Sequence, residues 1–479
     1  MPDPSYIIMK KNSLIIYAAL LIALTLNACK AGKNYQRPTV QLPEKFAGVS
    51  YADTSSIANI QWKQFFTDTT LQGLIDRGIK YNYNLQIAVK RIDIAQQQVK
   101  QAKLSLLPQL NLQVTGQYNR PSDNSLNGLS ASSFLGSKHI EDYNASLLLS
   151  WELDTWGKIR RQQESVMAQY LQTYEATKAV QTQLVADIAQ GYYNLLMLDR
   201  QLTIAKQNLT LSDSTVNLTR LLKNAGEVNL LAVQQADAQR QTTALLIPQL
   251  EQSITIQENA LQILTGQLPG AIARNKGIEA AELPTSLNTG LPAALLSRRP
   301  DVRSSEMALV ASNAQVGVAQ ANMYPSLTIT AQGGLQSFKS SNWFNIPGSL
   351  FGLATGTVLQ PIFRNRTLKT QYEVAKIQRE QAVLQFRQSV LNAVGEVSNA
   401  LVQNQKLQQQ RQIATGQVDT LNQAVKNARL LFKSDMANYL EVITAQTNAL
   451  QAQLNLASIQ RQQLGAVVEL YRSLGGGWQ

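Results

Sequence analysis

A single cysteine and a single histidine in 479 residues remove several kinds of chemistry at the outset. One cysteine makes no disulfide within the chain. One histidine, His139, falls in a predicted external loop and supplies neither a multi-histidine metal site nor a Ser-His catalytic pair. No glycine-rich loop runs into Lys-Ser or Lys-Thr, so a phosphate cradle is missing too. Carboxylate-only catalysis is the one enzymatic class that composition leaves open. No catalytic residue, metal site or non-covalent cofactor is assigned, and an enzyme is not expected. Aromatics make up 6% of the chain, thin for large globular cores, although 44% apolar content is ample for buried surface. The net charge of +12 is spread out with no basic run of five or more, which argues against nucleic acid.

One apolar run is informative. Lys10, Lys11 and Asn12 precede "SLIIYAALLIALTL" (13–26), too short for a comfortable membrane span and in the charge order of a secretory signal. Residues 1–28 read as a lipoprotein-type signal peptide, with Met9 as a second natural start. The run closes in "LNAC", which resembles a bacterial lipobox whose cysteine, Cys29, becomes the lipidated first residue. An ordinary free thiol is the alternative, but with no disulfide partner to explain it, a covalent lipid on Cys29 is expected. Stable anchoring takes more than one acyl chain. The mature chain is expected on a membrane surface outside the cytoplasm.

What the chain does have, it has twice. Pro108 and Pro325 lie 217 positions apart, and at each an Ala- and Gln-rich helical run gives way to alternation: Leu110, Leu112, Val114, then Leu327, Ile329, Ala331. "LLKNAGEVNLLAVQQA" (221–236) answers "LLFKSDMANYLEVITA" (430–445), with Asn229 over Asn438 and Leu231 over Leu440 at one offset of 209. A period of about 200 residues is too long for a solenoid, so residues 84–265 and 300–474 read as a duplicated domain. Leu184, Ile188, Gly191, Leu195 and Leu198 step by four and three, as do Val233, Ala236, Arg240, Thr243 and Ile247. That spacing belongs to helices packed along their length. Many seam positions are small or polar, so each helix needs several neighbours. Residues 366–433 hold no proline and allow one helix of about 100 Å; Pro248 predicts an interruption and kink in an earlier one.

Residues 109–118, 144–154, 326–335 and 349–360 place apolar side chains at every second position, over the length of a transmembrane β-strand. The joining segments 119–143 and 336–348 are rich in Ser, Asn and Gly and read as long exposed loops. A soluble sheet would alternate in the same way; export and lipidation favour the membrane. Four strands do not close a barrel, and an open edge in lipid leaves backbone groups unpaired at several kcal/mol each. Outer-membrane barrels begin at about eight strands, so two or three chains must share one.

The phrases "FFTDTTLQGLIDRGIKYNYNLQIAVKRI", "LSLLPQL", "SWELDTWGKIR", "LPAALLSRRPDVRSSE" and "NYLEVITAQ" together resemble the TolC-like outer-membrane efflux channel family, in its lipoprotein branch serving multidrug pumps of the resistance-nodulation-division type. The resemblance runs from about residue 34 to the C-terminus. It implies a fold that is mainly α with a membrane β-barrel: a homotrimer with a twelve-stranded barrel in the outer membrane of a Gram-negative bacterium, continued into the periplasm by a twelve-helix α-barrel with a mixed equatorial belt. On that scheme residues 29–83 are the lipid-anchored segment and part of the belt. Residues 84–265 form the first repeat, with hairpin 109–154 and tip 224–231. Residues 266–299 link it to the second repeat, 300–474, with hairpin 326–360 and tip 433–444, and 475–479 are a tail.

The implied function is a passive exit duct for drugs or other small toxic compounds. It would contact outer-membrane lipid and dock onto a periplasmic adaptor and an inner-membrane resistance-nodulation-division transporter. The periplasmic gate would comprise the apolar constriction Leu440 and the acidic Glu441, with Thr444 where the family often has a second acid, and Tyr439 and Leu231 nearby. Three copies of Glu441 would make a negative ring attractive to cations; packing at Leu440 and a solvated charge at Glu441 are the plain alternatives. Asn224, Gly226 and Asn229 in one tip, and Ser434, Asp435 and Asn438 in the other, would turn the helices and dock the adaptor. Pro108, Pro325, Arg299, Pro300 and Asp301 are read as structural, with Pro300 at a first helical turn and Asp301 near the positive helix end. A duct for type I protein secretion shares the fold, and the heptads alone would also allow a lipid-anchored coiled-coil protein without a pore.

Overall fold

A computed structural model describes residues 31–46, 56–134, 136–274, 276–281 and 288–479. The signal segment and the expected lipid on Cys29 lie outside these residues. The principal elements are α1 (Thr69–Tyr81), α2 (Tyr83–Leu104), β1 (Gln109–Asn119), α3 (Leu126–Phe134), β2 (Ile140–Leu153), α4 (Lys158–Ala225), α5 (Leu230–Leu264), α6 (Pro300–Ala321), β3 (Ser326–Ser337), β4 (Leu350–Leu359), α7 (Thr367–Lys433) and α8 (Tyr439–Ser473). They divide into two compact units. One is Met1–Pro38, Ile94–Tyr170 and Met307–Leu384; the other is Thr39–Asp93, Leu171–Glu306 and Gln385–Gln479. Among the described residues no helix is long and apolar enough to cross a membrane.

The first unit holds an antiparallel sheet in the order β1-β2-β3-β4. Residues paired across strands share a face, so the register sorts the side chains. Leu110, Leu112 and Val114 stand opposite Leu149, Leu147 and Ala145. Leu149, Trp151 and Leu153 stand opposite Ala331, Ile329 and Leu327, and Leu327 meets Val358. This face is apolar. The other carries Gln109, Asn111, Gln113 and Thr115 on β1, Ser146 and Ser150 on β2, Thr328, Thr330 and Gln332 on β3, and Thr355 and Thr357 on β4, with Leu148, Phe351, Leu353 and Leu359 as exceptions. Aromatic rings mark both ends of the strands. Tyr143, Trp343 and Phe344 cluster at one end, with centroids 5.5 and 5.0 Å apart; Trp156 and Tyr324 lie 5.1 Å apart at the other.

The two joining segments are more ordered than their composition predicts. Residues 119–143 contain α3 and the first turn of β2, which begins at Ile140 rather than 144, and Ser340–Asn342 form a short 3-10 turn in the second segment. Serine favours loops and helix starts for one reason, its short hydroxyl bonds nearby backbone. Here Ser125 Oγ donates to Ser122 O at 2.7 Å and Leu129 N donates to Ser125 O ahead of α3. β2 starts early because the ladder continues past the apolar band, where Tyr143 pairs Gly116 and Glu141 pairs Tyr118 without an alternation to betray it.

Both prolines stand where helix becomes strand, Pro108 between α2 and β1 and Pro325 between α6 and β3. Trp151 Nε1 donates to Leu106 O at 2.8 Å and Trp156 Nε1 to Pro325 O at 2.7 Å, which ties each bend to the sheet. Arg161, 1% exposed, fastens the N-terminal stretch. Its guanidinium donates to Ala31 O, Gly32 O and Asn34 Oδ1 at 3.0–3.1 Å and pairs Glu164 at 2.7 Å. A Cβ on Gly317 would sit 3.0 Å from its Cγ, so a side chain there would press on the buried arginine.

In the second unit the heptad seam is buried at Phe386, Ala393, Ala400, Leu407 and Ala414. Leu407 and Ala414 pack on Ile459 and Ala466 of α8, and Ile204 of α4 on Leu450 and Ala457. Polar seam residues bond across helices: Gln446 Nε2 to Thr215 Oγ1 at 3.0 Å, Asn208 Nδ2 to Gln453 Oε1 at 3.1 Å, and Gln453 Nε2 to Asn422 Oδ1 at 2.8 Å. Pro248 does not interrupt its helix; α5 is helical from Leu230 to Leu264 on both sides of it. A proline costs such a helix one backbone bond, and lengthwise packing outweighs it.

The sheet makes one sharp prediction. A Cβ on Gly334 would stand 2.1 Å from Ala145 O, whereas one on Gly333 meets nothing nearer than 3.7 Å. Gly334→Ala is expected to lose about 2 kcal/mol in denaturant unfolding of the detergent-solubilised protein, and Gly333→Ala to lose little. Equal losses would contradict the register.

Candidate functional site

The two helix tips are built on one backbone plan. In the first, Gly226 N donates to Lys223 O at 3.1 Å and Glu227 N to Leu222 O at 3.0 Å; in the second, Asp435 N donates to Phe432 O at 3.3 Å and Met436 N to Leu431 O at 2.9 Å. Each pair is a Schellman closure, which needs a left-handed residue just past the helix. Gly226 takes it with φ 86° and Asp435 with φ 56°. The next helix then starts on an asparagine. Asn229 Oδ1 accepts from Ala232 N at 3.1 Å, and Asn438 Oδ1 accepts from Leu440 N and Glu441 N at 2.9 and 3.1 Å. Every step of this construction repeats at the offset of 209. Asn224 and Ser434 sit exposed beside the two closures.

The side chains diverge where the backbone does not. Ala232 is buried, but its counterpart Glu441 is exposed, and the buried residue of α8 is the next one, Val442, at 1%. A shift of one residue turns a helix by about 100°. The turn brings Leu440, Glu441 and Thr444 onto one outward face at spacings of three and four, all exposed, with Leu440 at 52%. Tyr439 is half-buried beside them, and Leu231 is exposed on the other tip. Among the described residues Glu441 has no ion-pair partner. Val442 is accounted for by packing; Leu440 is not.

Sequence reasoning missed a basic groove behind the second tip. Asn208, Leu211, Val425, Arg429, Lys433 and Gln453 line a volume of about 680 Å3. They come from three helices, so no local spacing announces them. Also missed was a charge cluster on α4 and α5, where Arg240 meets Asp237 at 2.9 Å and Asp213 at 3.7 Å. Arg240 holds the Asp237 carboxyl below its ordinary pKa through that hydrogen bond. No group of three or more His, Cys, Asp or Glu among the described residues could hold a metal ion.

Arg299, Pro300 and Asp301 lie away from the tips. Pro300 opens α6 and Asp301 is in its first turn. Buried Arg299 holds Asp301 by two hydrogen bonds of 3.0 and 2.6 Å and also reaches Glu396 Oε2 and Ser473 O, both at 2.9 Å. It therefore knits the start of α6 to α7 and the end of α8. Burial raises the Asp301 carboxyl, but the Arg299 hydrogen bonds and charge outweigh it and leave the pKa lowered.

Comparison with known proteins follows the same outline. Residues 74–267 and 291–476 match the family described as outer membrane efflux protein. The cation efflux system protein CusC of Escherichia coli is 29% identical over 465 residues, 96% of this chain and 98% of that protein. The outer membrane protein OprJ of Pseudomonas aeruginosa is 29% identical over 470 residues, 96% and 95% of the two chains. A solved structure of the outer-membrane channel OprN superposes with a TM-score of 0.86 at 26% identity, covering 94% of this chain and 100% of that one.

Two measurements test the geometry. Asp435→Gly is expected to stabilise the tip and Asn438→Ala to destabilise it, each by about 1 kcal/mol, read as hydrogen-exchange protection in the flanking turns. An Asp435→Gly variant that loses protection would deny the left-handed assignment. Because Asp301 is depressed in the folded chain, its stabilising share is complete above the ordinary aspartate pKa of about 3.9 and fades as pH drops through the lower folded value. Asp301→Asn should thus flatten the fall of melting temperature below about pH 4; an unchanged slope would exclude Asp301 as its source.

Proposed function

The chain belongs to the outer membrane efflux protein family, and from that premise we propose that three copies assemble into a passive exit duct of a tripartite pump. The free edges of the sheet carry this reading. β1 and β4 each pair on one side only, and exposed Leu110, Leu112, Val114, Leu350 and Val358 show that the face between them suits lipid, not water. In hydrocarbon an unpaired edge costs several kcal/mol per backbone group. Joining the β4 edge of one copy to the β1 edge of the next removes that cost for every copy, and three copies give twelve strands. The polar face of amides and hydroxyls then lines the lumen. A coiled-coil protein without a pore has no use for such a sheet.

The tips are the periplasmic end of the duct. Leu440 narrows it and Glu441 sets the sign of its charge, with Thr444 leaving one acidic layer per ring. The turns and the basic groove beside Lys433 receive a periplasmic adaptor, which links the duct to an energised inner-membrane transporter of the resistance-nodulation-division type. Cys29 carries the lipid that holds the mature chain to the membrane. The cargo is a drug or other small toxic compound, passed on by the partners.

In detergent the purified mature protein is expected to run with the mass of three chains and to lose that mass on heating. A monodisperse single chain would defeat the reading. In a planar bilayer, Glu441→Ala should raise single-channel conductance or reduce cation preference. Unchanged values of both would remove Glu441 from the gate.

A further inference from the structure

The groove behind the second tip, about 680 Å3, is walled by α4, α7 and α8. Leu211, Val425, Leu430 and Ala449 give it an apolar lining, and Leu430 is 64% exposed. Its amides are already matched, Asn208 donating to Gln453 at 3.1 Å and Gln453 to Asn422 at 2.8 Å. What is left unmatched is charge.

Lys426, Arg429 and Lys433 line the same groove. Spacings of three and four put them in one row along α7. A helix end favours cations only over its last turn, which accounts for Lys433 but not for the two before it. Among the described residues none of the three has an ion pair, and no acid lines the groove. Asp213 on α4 is held by Arg240 at 3.7 Å. Asp419 stands seven positions before Lys426, about 10 Å along the helix axis. Three cations thus border an apolar trough that holds no counter-charge.

The groove and the gate residues lie on opposite sides of α8. Ala449 and Gln453 line the groove, and they stand nine positions after Leu440 and Thr444 respectively. Nine residues make two and a half turns, which reverses the face. With Leu440 turned to the axis of the duct, the groove opens outward to the periplasm. Of the four long helices, α5 is the one a neighbouring copy has free to lay there. Its three acids are committed within their own chain, Asp237 to Arg240, Glu251 to Lys206 and Glu258 to Arg274.

We propose that this groove seats an acidic, amphipathic α-helix of a periplasmic partner, with its carboxylates on Lys426, Arg429 and Lys433 and its aliphatic side chains on Leu211 and Leu430. Helices dock in apolar grooves by residues three and four apart, the same spacing as the row of cations. The charges steer the helix and fix its register. The inference rests on the tripartite-pump reading above, and it adds the chemistry of the partner at this groove.

Fluorescence anisotropy of the full mature protein in lipid nanodiscs tests it with a labelled, stapled helix. One version carries Leu on its packing face and three Glu spaced by three and four; the other has Gln in place of each Glu. Wild-type protein should bind the Glu helix about tenfold more tightly than the Gln helix, and about 1 M salt should erase the preference. The K426Q/R429Q/K433Q variant should bind the two alike and still run with the mass of three chains, and Leu430→Ser should weaken both. Equal binding of the two helices by wild type, or a preference that survives in the triple variant, would overturn the proposal. So would loss of the three-chain mass in the triple variant or in Glu227→Gln, since the row would then serve a second copy. A wild-type protein that runs as one chain in light scattering would instead defeat the duct, and that mass is read apart from helix binding.

Discussion

A peptide group inside hydrocarbon must find its hydrogen-bond partner in the protein, and this chain's sheet leaves two edges without one. Both its chemistry and its shape follow from that. The face sorted by the register is apolar across four strands and bounded by aromatic rings, so it belongs in lipid. The edges at β1 and β4 are left unpaired within the chain, and the proposed assembly of three copies would close them. Within the sheet the same economy of space shows at Gly334, where the backbone of β2 comes so close that no side chain fits.

The helical part obeys a different rule. Its seams are lined with Ala, Thr, Gln and Asn, so close approach and cross-helix amide bonds replace bulk burial. Such seams are weak singly and depend on many neighbours. Two buried arginines give firmer attachment at particular points. Arg161 grips the stretch that begins at Ala31, and Arg299 grips Asp301, Glu396 and a helix-end carbonyl. Removing either guanidinium would leave the main-chain carbonyls it binds without that donor, which costs more than the pairing itself gains.

Duplication explains the tips and also what changed in them. Backbone closures and asparagine caps survive at a constant offset because they are local, each satisfying amides and carbonyls within a few residues. In its first two turns the packed face of α8 is shifted by one position relative to α5, with Val442 and Gln446 buried where α5 buries Ala232 and Ala236, so the site of buried Ala232 in one repeat is exposed Glu441 in the other. A duplicated plan thereby yields tips whose exposed acids stand at different places, Glu227 in the turn of the first, Asp435 and Glu441 in the second.

Much of this was legible without coordinates: the alternating strands, the proline bends, the uninterrupted run that becomes α7, and the asparagines that cap α5 and α8. These are local matters, fixed by side-chain period and by bonds spanning a few residues. The repeat and most of its elements can be read from the residues alone. It did not disclose α3 in a serine-rich stretch, because serine serves loop and helix start alike, nor the continuity of α5 through Pro248. The left-handed Asp435, the exposure of Glu441, the groove of Arg429 and Lys433, and the seat of Ala31 on Arg161 were decided by the tertiary structure alone. Each depends on which helices press on which, over separations of up to hundreds of residues, and a burial pattern set by distant neighbours leaves no periodic trace in the chain.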